Sequence, residues 1–208
     1  DLRCGSLEKK LGIHASPTAV MLYGENTGAK GWLIGEENQG MRCMFTMMNH
    51  ARIDVGVQGL SIAERAYQQA LGYAFSRKQG KSSSIKSDEQ VSIIEHPDVK
   101  RMILDIKSKI DAMRGLILTT GVYSDLSKYH SNNDSKKLYS ELVDLLTPIV
   151  KSWCTDIGFS SASTGLQVHG GMGFIEETGA AQHLRDSRIA PIYEGTNGIQ
   201  ALDLVFRK

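Results

Sequence analysis

The chain has 208 residues, 41% of them apolar, which is enough for one domain with a sizeable hydrophobic core. Its formal net charge is +1 and its basic residues are spread along the sequence, which argues against a nucleic-acid or anionic-membrane partner. No apolar run has the length of a membrane span. Three cysteines far apart in sequence argue against a disulfide framework and a zinc site, and they suit a reducing compartment such as the cytoplasm.

Residues 1–40 are predicted to form β-structure and turns. A β-leaning stretch at Thr18 to Tyr23 is followed by turn residues and then by the short apolar run GWLIG at 31–35, a pattern that predicts a hairpin. Two strands alone are marginal in water. The chain also begins with a polar stretch and has no Met before Met21, so we expect it to be one part of a longer protein.

From about Gly40 the pattern becomes helical. We predict a first helix over about Met41 to Arg77, a polar loop over Gln79 to Ser92, and a second helix that begins at Pro97. Residues 131–135 separate it from a third helix. A shorter helical region is predicted around Glu177 to His183, and a last helix is predicted to begin near Asn197.

The three long helices carry apolar stripes at helical spacing. In the first helix the stripe consists of Ile62, Ala66, Ala70 and Tyr73, whose small members would let a neighbour approach closely. The second has Val99, Met102, Ile103, Ile106, Ile110, Met113 and Ile117. The third has Tyr139, Leu142, Leu145, Leu146, Ile149, Trp153 and Ile157, with Pro148 as a possible kink. The fold class is therefore mainly α, an antiparallel helical bundle over 41–208 after a short β segment.

Two segments near the end of the chain contain residues that could take part in binding or catalysis. Gly170, Gly171 and Gly173 follow the third helix, which is consistent either with a tight turn or with close approach of a phosphate. Glu194 precedes the last helix, for which Thr196 is a suitable N-cap. Its carboxylate could be a partner of the helix dipole or a general base that removes a proton beside a carbonyl.

The remaining polar residues are less specific. Asn49, Arg52, Arg77 and Arg185 are more often solvated or ion-paired helix residues than ligand contacts. The sequence has no GxSxG, HExxH or Walker motif, and its six histidines show no metal-ligand spacing, so we expect no metal. From the residues alone, the interpretation ends at a bundle with a glycine-rich turn and a suggestive Glu.

Four ordered segments resemble the acyl-CoA dehydrogenase family, and together they cover nearly the whole chain. KKLGIHASPTAVMLYG resembles the end of the family's middle β-domain, so the resemblance places residues 1–40 in that domain and 41–208 in the C-terminal helical domain. MNHARIDVGVQGLSIAERAYQQALGYAFSRKQG resembles that domain's first helix, QVHGGMGF a flavin-contacting turn, and RDSRIAPIYEGTNGIQALDLV the catalytic segment. The runs HASPTAVM and IIEHPDVKRM are similar to the branch related to 3-methylmercaptopropionyl-CoA dehydrogenase.

The resemblance implies a mechanism. Glu194 aligns with the base that removes the α-proton of an acyl-CoA thioester, while the β-hydrogen leaves as hydride to FAD and gives a trans-2-enoyl-CoA. It implies electron transfer to an electron-transfer flavoprotein, a role in fatty acid β-oxidation, and a homodimer or homotetramer in which FAD bridges subunits. An acyl-CoA or nitroalkane oxidase of the same fold is an alternative, as is a non-catalytic oligomerisation fragment.

The resemblance also suggests binding residues. Arg77, Gln167, Gly170 and Gly171 match contacts to the FAD of a neighbouring subunit. Thr196 and Gly198 match a stretch near the FAD phosphates, where the backbone at a helix start suits an anion. On the substrate side the matching residues are Arg52, Tyr193 and Gly195. One departure is visible: the chain has RKQG at 77–80 where most members have RxxFG, which puts a flavin contact by the missing Phe in doubt.

Overall fold

A computed structural model describes residues 1–81 and 89–207, apart from the side chain of Thr46. In these ranges two strands precede five α-helices. The strands are β1 (Leu2–Leu7) and β2 (Ala19–Tyr23), and the helices are α1 (Gly40–Ser76), α2 (Pro97–Tyr129), α3 (Asn133–Val168), α4 (Ala180–Ser187) and α5 (Asn197–Phe206). Short 3-10 turns lie at Ile93–Glu95, Gly170–Phe174 and Glu176–Thr178. The predicted fold class, a mainly α bundle after a β segment, is confirmed.

The predicted hairpin is wrong in one of its two strands. β2 pairs antiparallel with β1 and not with residues 31–35, in a register that joins Leu2 to Tyr23 and Leu7 to Ala19. Residues 31–34 form no strand, and Trp32 and Ile34 are among the most exposed apolar side chains of the described chain. The sequence prediction missed β1 because that segment is polar, contains a glycine and lacks a clear alternation of apolar residues.

Helices α1 and α3 pack directly against each other and run in the same direction, while α2, which connects them in the chain, runs in the opposite direction. The residue numbers in contact increase along both helices, from Gly56 against Val150 to Ala66 against Gly165. At the closest point, a Cβ atom on Gly59 would lie 2.4 Å from the Cys154 carbonyl oxygen, and one on Gly158 would lie 2.6 Å from the Gly59 oxygen. The small residues of α1 therefore permit the close helix contact that the sequence predicts.

The predicted core is confirmed for α2, and in α3 it is wrong for two of the seven predicted residues, the other five being partly buried. All members of the α2 stripe from Met102 to Ile117 are buried. In α3, however, Leu145 and Trp153 of the predicted stripe are exposed. The buried face of α3 instead consists mainly of small and polar residues, namely Thr147, Pro148, Val150, Lys151, Cys154, Thr155, Gly158, Ser161, Ala162, Gly165 and Val168. Because α1 approaches so closely, side-chain size rather than hydrophobicity selects this face.

The connections between the long helices place the later segments. Backbone hydrogen bonds join Gln79 to Val91 and Ile93 to Arg77, so both ends of the predicted serine-rich loop run side by side, while its residues 82–88 lie outside the described part of the chain. The predicted region at 177–183 is a 3-10 turn followed by α4, with Gly179 at φ 78° between them. Pro148 lies within a continuous α3.

The β segment is fastened to the bundle through α4. The Ile13 backbone N–H donates to the Asp186 carboxylate at 2.6 Å, and a Cβ on Gly12 would lie 2.6 Å from the same oxygen.

Over residues 1–81 and 89–207, no helix is long and apolar enough to cross a membrane, and no three His, Cys, Asp or Glu side chains are grouped to hold a metal ion.

Candidate active site

Glu194 lies in the turn between α4 and α5 and has a strained backbone. Its φ is 54°, in the left-handed region that L-residues other than glycine seldom adopt, and Gly195 follows with φ 83°. A Cβ on Gly195 would lie 2.8 Å from Gln200 Nε2, so only glycine fits there. Strain of this kind persists only where surrounding contacts enforce it, and it is concentrated at functional sites.

The first residues of α5 hold this turn. Gln200, which is fully buried, donates from Nε2 to the Gly195 oxygen at 3.1 Å and to the Glu194 oxygen at 3.4 Å. The Thr196 hydroxyl accepts from the Ile199 N–H at 3.4 Å, which confirms Thr196 as the predicted N-cap. The Asn197 N–H donates to the Pro191 oxygen at 3.1 Å and closes the turn.

The Asn197 side chain joins the turn to the middle of α3. Its amide nitrogen donates to the Ser152 oxygen at 3.1 Å, the Thr155 hydroxyl at 3.1 Å and the Asp156 carboxylate at 2.8 Å. Its amide oxygen accepts from Lys151 Nζ at 2.9 Å. Both ends of the amide are therefore bonded to one turn of α3, which fixes the beginning of α5 on the bundle.

A buried ion pair fixes the other side of α5. Arg52 Nη1 on α1 donates to Asp203 Oδ2 at 2.8 Å, with side-chain exposures of 8% and 6%. Arg207 approaches the other Asp203 oxygen at 3.3 Å from the surface. The expectation that Arg52 is ion-paired is confirmed, and so is that for Arg185, which bonds Glu176 at 2.7 Å. The substrate contact that the resemblance suggests for Arg52 stays a prediction.

Two side chains near Glu194 have altered acid–base properties. Burial lowers the pKa of Lys151 to about 8, although the Asp156 and Glu194 carboxylates act in the opposite direction and Arg52 reinforces the fall. Burial also raises the pKa of Tyr193, whose hydroxyl donates to the Gln58 side chain, and the Glu194 charge adds to this rise. The Glu194 carboxylate thus acts electrostatically on both neighbouring side chains.

An apolar cavity of about 510 Å³ lies beside Tyr193. It opens between the β segment and the α4–α5 region, and Glu194 is not among its lining residues. The lining includes Leu11, Gly12, Ile13, Arg188, Ile189, Ile192 and Tyr193. Of the three predicted substrate-side residues, Tyr193 faces this cavity, while Gly195 and Arg52 are close together behind the turn, with Arg52 Nη2 3.7 Å from a Cβ built on Gly195.

A second cavity, of about 320 Å³, lies at the C-terminal end of α3. It brings together Arg77, Gly170 and Gly171, three of the residues that the resemblance assigns to FAD. Gly170 has φ 56°, and a side chain there would meet no described atom within 4 Å. Gln167, on the last turn of α3, is exposed and is not part of this lining.

The two groups of predicted FAD residues lie at different levels along α3. Asn197, between Thr196 and Gly198, contacts α3 near its middle, at Ser152 to Asp156, whereas Gly170 lies two residues after the last residue of α3. At 1.5 Å per helical residue, these positions are roughly 20 Å apart along α3. The two groups therefore lie on separate parts of the bundle.

Sequence reasoning missed the residues that support the turn. Lys151, Asn197, Gln200, Asp203 and Gln58 each resemble ordinary polar helix residues when considered singly. A signal for Lys151 was present in its spacing, because Thr147, Lys151 and Thr155 recur every four residues and mark a polar stripe. The prediction for α3 relied on its larger apolar residues and did not use this polar stripe.

Comparison with known proteins agrees with this architecture. Residues 38–207 match the family model described as acyl-CoA dehydrogenase, C-terminal domain. The chain is 51% identical over 207 residues to 3-methylmercaptopropionyl-CoA dehydrogenase of Ruegeria pomeroyi, covering all of this chain and 34% of that protein.

Solved structures show the same likeness. Butyryl-CoA dehydrogenase from Megasphaera elsdenii matches with a TM-score of 0.77 at 26% identity, covering 98% of this chain and 47% of that one. A chain in the structure of the electron transferring flavoprotein of Acidaminococcus fermentans matches with a TM-score of 0.80 at 26% identity, covering 100% and 50%.

The chain spans roughly a third of the length of the first curated relatives that it matches. The family model nevertheless covers residues 38–207, all but the first part of the chain. The protein belongs to the acyl-CoA dehydrogenase family, and the described bundle is its C-terminal domain.

Proposed function

We propose that the complete protein is an FAD-dependent acyl-CoA dehydrogenase in which Glu194 is the catalytic base. The observation that carries this proposal is the backbone of Glu194, held at φ 54° by buried polar contacts from α5 and α3. A solvated dipole partner at a helix start would not require such a strained and supported conformation. The names of its relatives, which act on 3-methylmercaptopropionyl-CoA and butyryl-CoA, support a thioester substrate.

The proposed reaction begins with proton transfer to Glu194. The bond between the substrate α-carbon and its hydrogen breaks, the proton passes to a carboxylate oxygen of Glu194, and the electron pair moves toward the thioester carbonyl. Bound FAD would supply the hydride acceptor for the β-hydrogen, giving a trans-2-enoyl-CoA. The protein's part is to aim the carboxylate, which the Gln200 and Asn197 contacts accomplish without bonding the carboxylate itself.

The residues around the second cavity fit a cofactor pyrophosphate. Arg77 supplies a permanent positive charge, and Gly170 and Gly171 leave open backbone beside it. This cavity lies about 20 Å along α3 from the Asn197 contact, which supports contact with the FAD of a neighbouring subunit in a homodimer or homotetramer. We propose Gln167, Thr196 and Gly198 as further FAD contacts, with residues 1–40 belonging to the middle β-domain and an electron-transfer flavoprotein as the electron acceptor.

The test is a Glu194→Gln variant of the complete protein, with bound FAD measured first. Anaerobic mixing with a panel of straight-chain, branched and methylthio acyl-CoAs should reduce the wild-type flavin. The variant should retain FAD and be reduced about 10²- to 10⁴-fold more slowly, because general-base catalysis contributes that much. Glu177→Gln, which alters an exposed carboxylate on the 3-10 turn before α4, is the matched control and should leave the rate unchanged.

Two outcomes would contradict the proposal. Equal flavin reduction in wild type and Glu194→Gln would remove Glu194 as the base. Rapid reoxidation of the reduced wild-type enzyme by oxygen would instead favour an oxidase of the same fold, and loss of FAD from the complete protein would favour an oligomerisation role.

A further inference from the structure

Lys151 is a fully buried charged side chain that lies behind the Glu194 turn. It projects from the middle of α3 and has no exposed surface. Its Nζ donates to the Asn197 oxygen at 2.9 Å, and Asn197 is three residues after Glu194. Because an ammonium can only donate, this bond requires the oxygen of the Asn197 amide, and not its nitrogen, to face Lys151.

Because burial of the Lys151 ammonium costs free energy, we expect the charge to serve a function. Removing an ammonium from water is expensive, and a well-packed apolar side chain would stabilise the same position at least as well. The hydrogen bond to Asn197 compensates for part of this cost. The rest of the desolvation cost has a reason if Lys151 serves this site, whose proposed function is to hold a carboxylate ready for proton transfer.

Charged groups act on Lys151 from each element packed against it. Asp156 on α3 and Glu194 on the turn attract the ammonium, while Arg52 on α1 repels it. The Arg52 charge is balanced by Asp203 of α5, at 2.8 Å. The ammonium of Lys151 therefore has two carboxylates that favour it, and one of these is the proposed base.

We propose that Lys151 is a positioning residue for Glu194. Through Asn197 it fixes the start of α5, and with it the left-handed turn that aims the carboxylate. This inference rests on the proposed function, and it assigns to Lys151 no contact with the substrate or cofactor.

The experiment compares Lys151→Met, Lys151→Arg and Asn197→Ala in the complete FAD-loaded protein. Anaerobic flavin reduction by the best acyl-CoA is followed as a function of substrate concentration. Lys151→Met should lower the maximal reduction rate about tenfold or more, since small misplacement of a reacting group has large effects. The substrate concentration at half-maximal rate should change less than about threefold, because uniform binding is retained.

Rescue by the conservative variant separates positioning from a merely structural role. Lys151→Arg keeps a donor for the Asn197 oxygen and should recover part of the rate that Lys151→Met loses. Asn197→Ala removes that acceptor and should lower the maximal rate to a similar extent, again with less than about a threefold change in the substrate concentration at half-maximal rate. Lys107→Met, at an exposed lysine on α2, is the control and should match wild type.

Each remaining outcome decides the matter. An unchanged maximal rate in Lys151→Met, or a lower rate that Lys151→Arg does not recover in part, overturns the inference while leaving Glu194 as the base. If Lys151→Met does not retain FAD, an Asn197→Ala variant that retains FAD and keeps the wild-type maximal rate overturns it as well. A wild-type flavin that no acyl-CoA reduces would instead overturn the proposed function, which the Glu194→Gln comparison identifies independently.

Discussion

The α1–α3 contact and the turn at residues 190–200 are both tightly held, but by opposite means. At the contact, glycines and alanines let two backbones meet. At the turn, Arg52, Lys151, Gln200 and Asp203 bring amide and charged groups into the interior to hold a strained backbone. The comparison indicates that the bundle is stabilised by close packing, whereas the candidate site is fixed by polar groups at a cost in stability.

The largest effect should come from breaking the ion pair behind the turn. Asp203→Asn leaves the buried Arg52 guanidinium without a counter-charge and should lower the free energy of unfolding by about 3–5 kcal/mol. Arg207→Ala removes the exposed partner of the same carboxylate and should cost less than about 1 kcal/mol. Urea denaturation of both variants measures the difference, and equal costs would show that burial of this pair is unimportant.

How well the sequence predicted these two regions depends on whether the stabilising contacts leave a repeated pattern in the sequence. Periodicity identified the α2 stripe and the small residues of α1, because burial of an entire helix face leaves a repeated signal. In α3 it included Leu145 and Trp153, which are exposed, and it omitted the small and polar residues that the close contact admits. No local signal announces a left-handed Glu194, and the contacts that enforce it come from α1, α3 and α5, far apart in sequence.

Recognition of family motifs supplied what periodicity could not. It located Glu194, Arg77, Gly170 and Gly171, and the structure brings the last three to one cavity. Residues between the motifs, such as Lys151, received no assignment. These supporting residues are visible only after the helices are packed, because each requires a partner on another element.

The second effect tests the close packing itself. Gly59→Ala would place a methyl group 2.4 Å from the Cys154 oxygen, so the helices must separate, and we expect a loss of about 1–3 kcal/mol or more. Gly72→Ala, on the same helix but with no described atom within 4 Å, should stabilise the protein by up to about 1 kcal/mol through helix propensity. Thermal unfolding distinguishes the two, and stabilisation by both substitutions would argue that α1 and α3 can separate without penalty.

The third effect concerns the buried charge at the site. Because the Lys151 pKa is about 8 when folded and near 10.5 when exposed, the unfolded chain binds more protons between these values, so stability rises with pH in this window. The free energy of unfolding of wild type, relative to Lys151→Met, should therefore increase by roughly 1–3 kcal/mol from pH 8 to 10.5. Groups common to both proteins cancel in the difference. A difference that stays flat with pH would show that Lys151 is not desolvated in the folded protein.

The smallest effect should come from relieving the strain at the turn. Glu194→Gly removes the left-handed penalty of about 1–2 kcal/mol but adds backbone freedom to the unfolded chain, so we expect a net stabilisation of about 0.5–1 kcal/mol. Glu177→Gly, at a residue whose φ is not positive, should destabilise the protein instead and serves as the control. Denaturant titration of both variants provides the measurement. A more stable Glu194→Gly protein with no flavin reduction would mean that the fold tolerates an unfavourable residue there for its carboxylate alone, whereas a less stable one would place the side chain among the structural contacts.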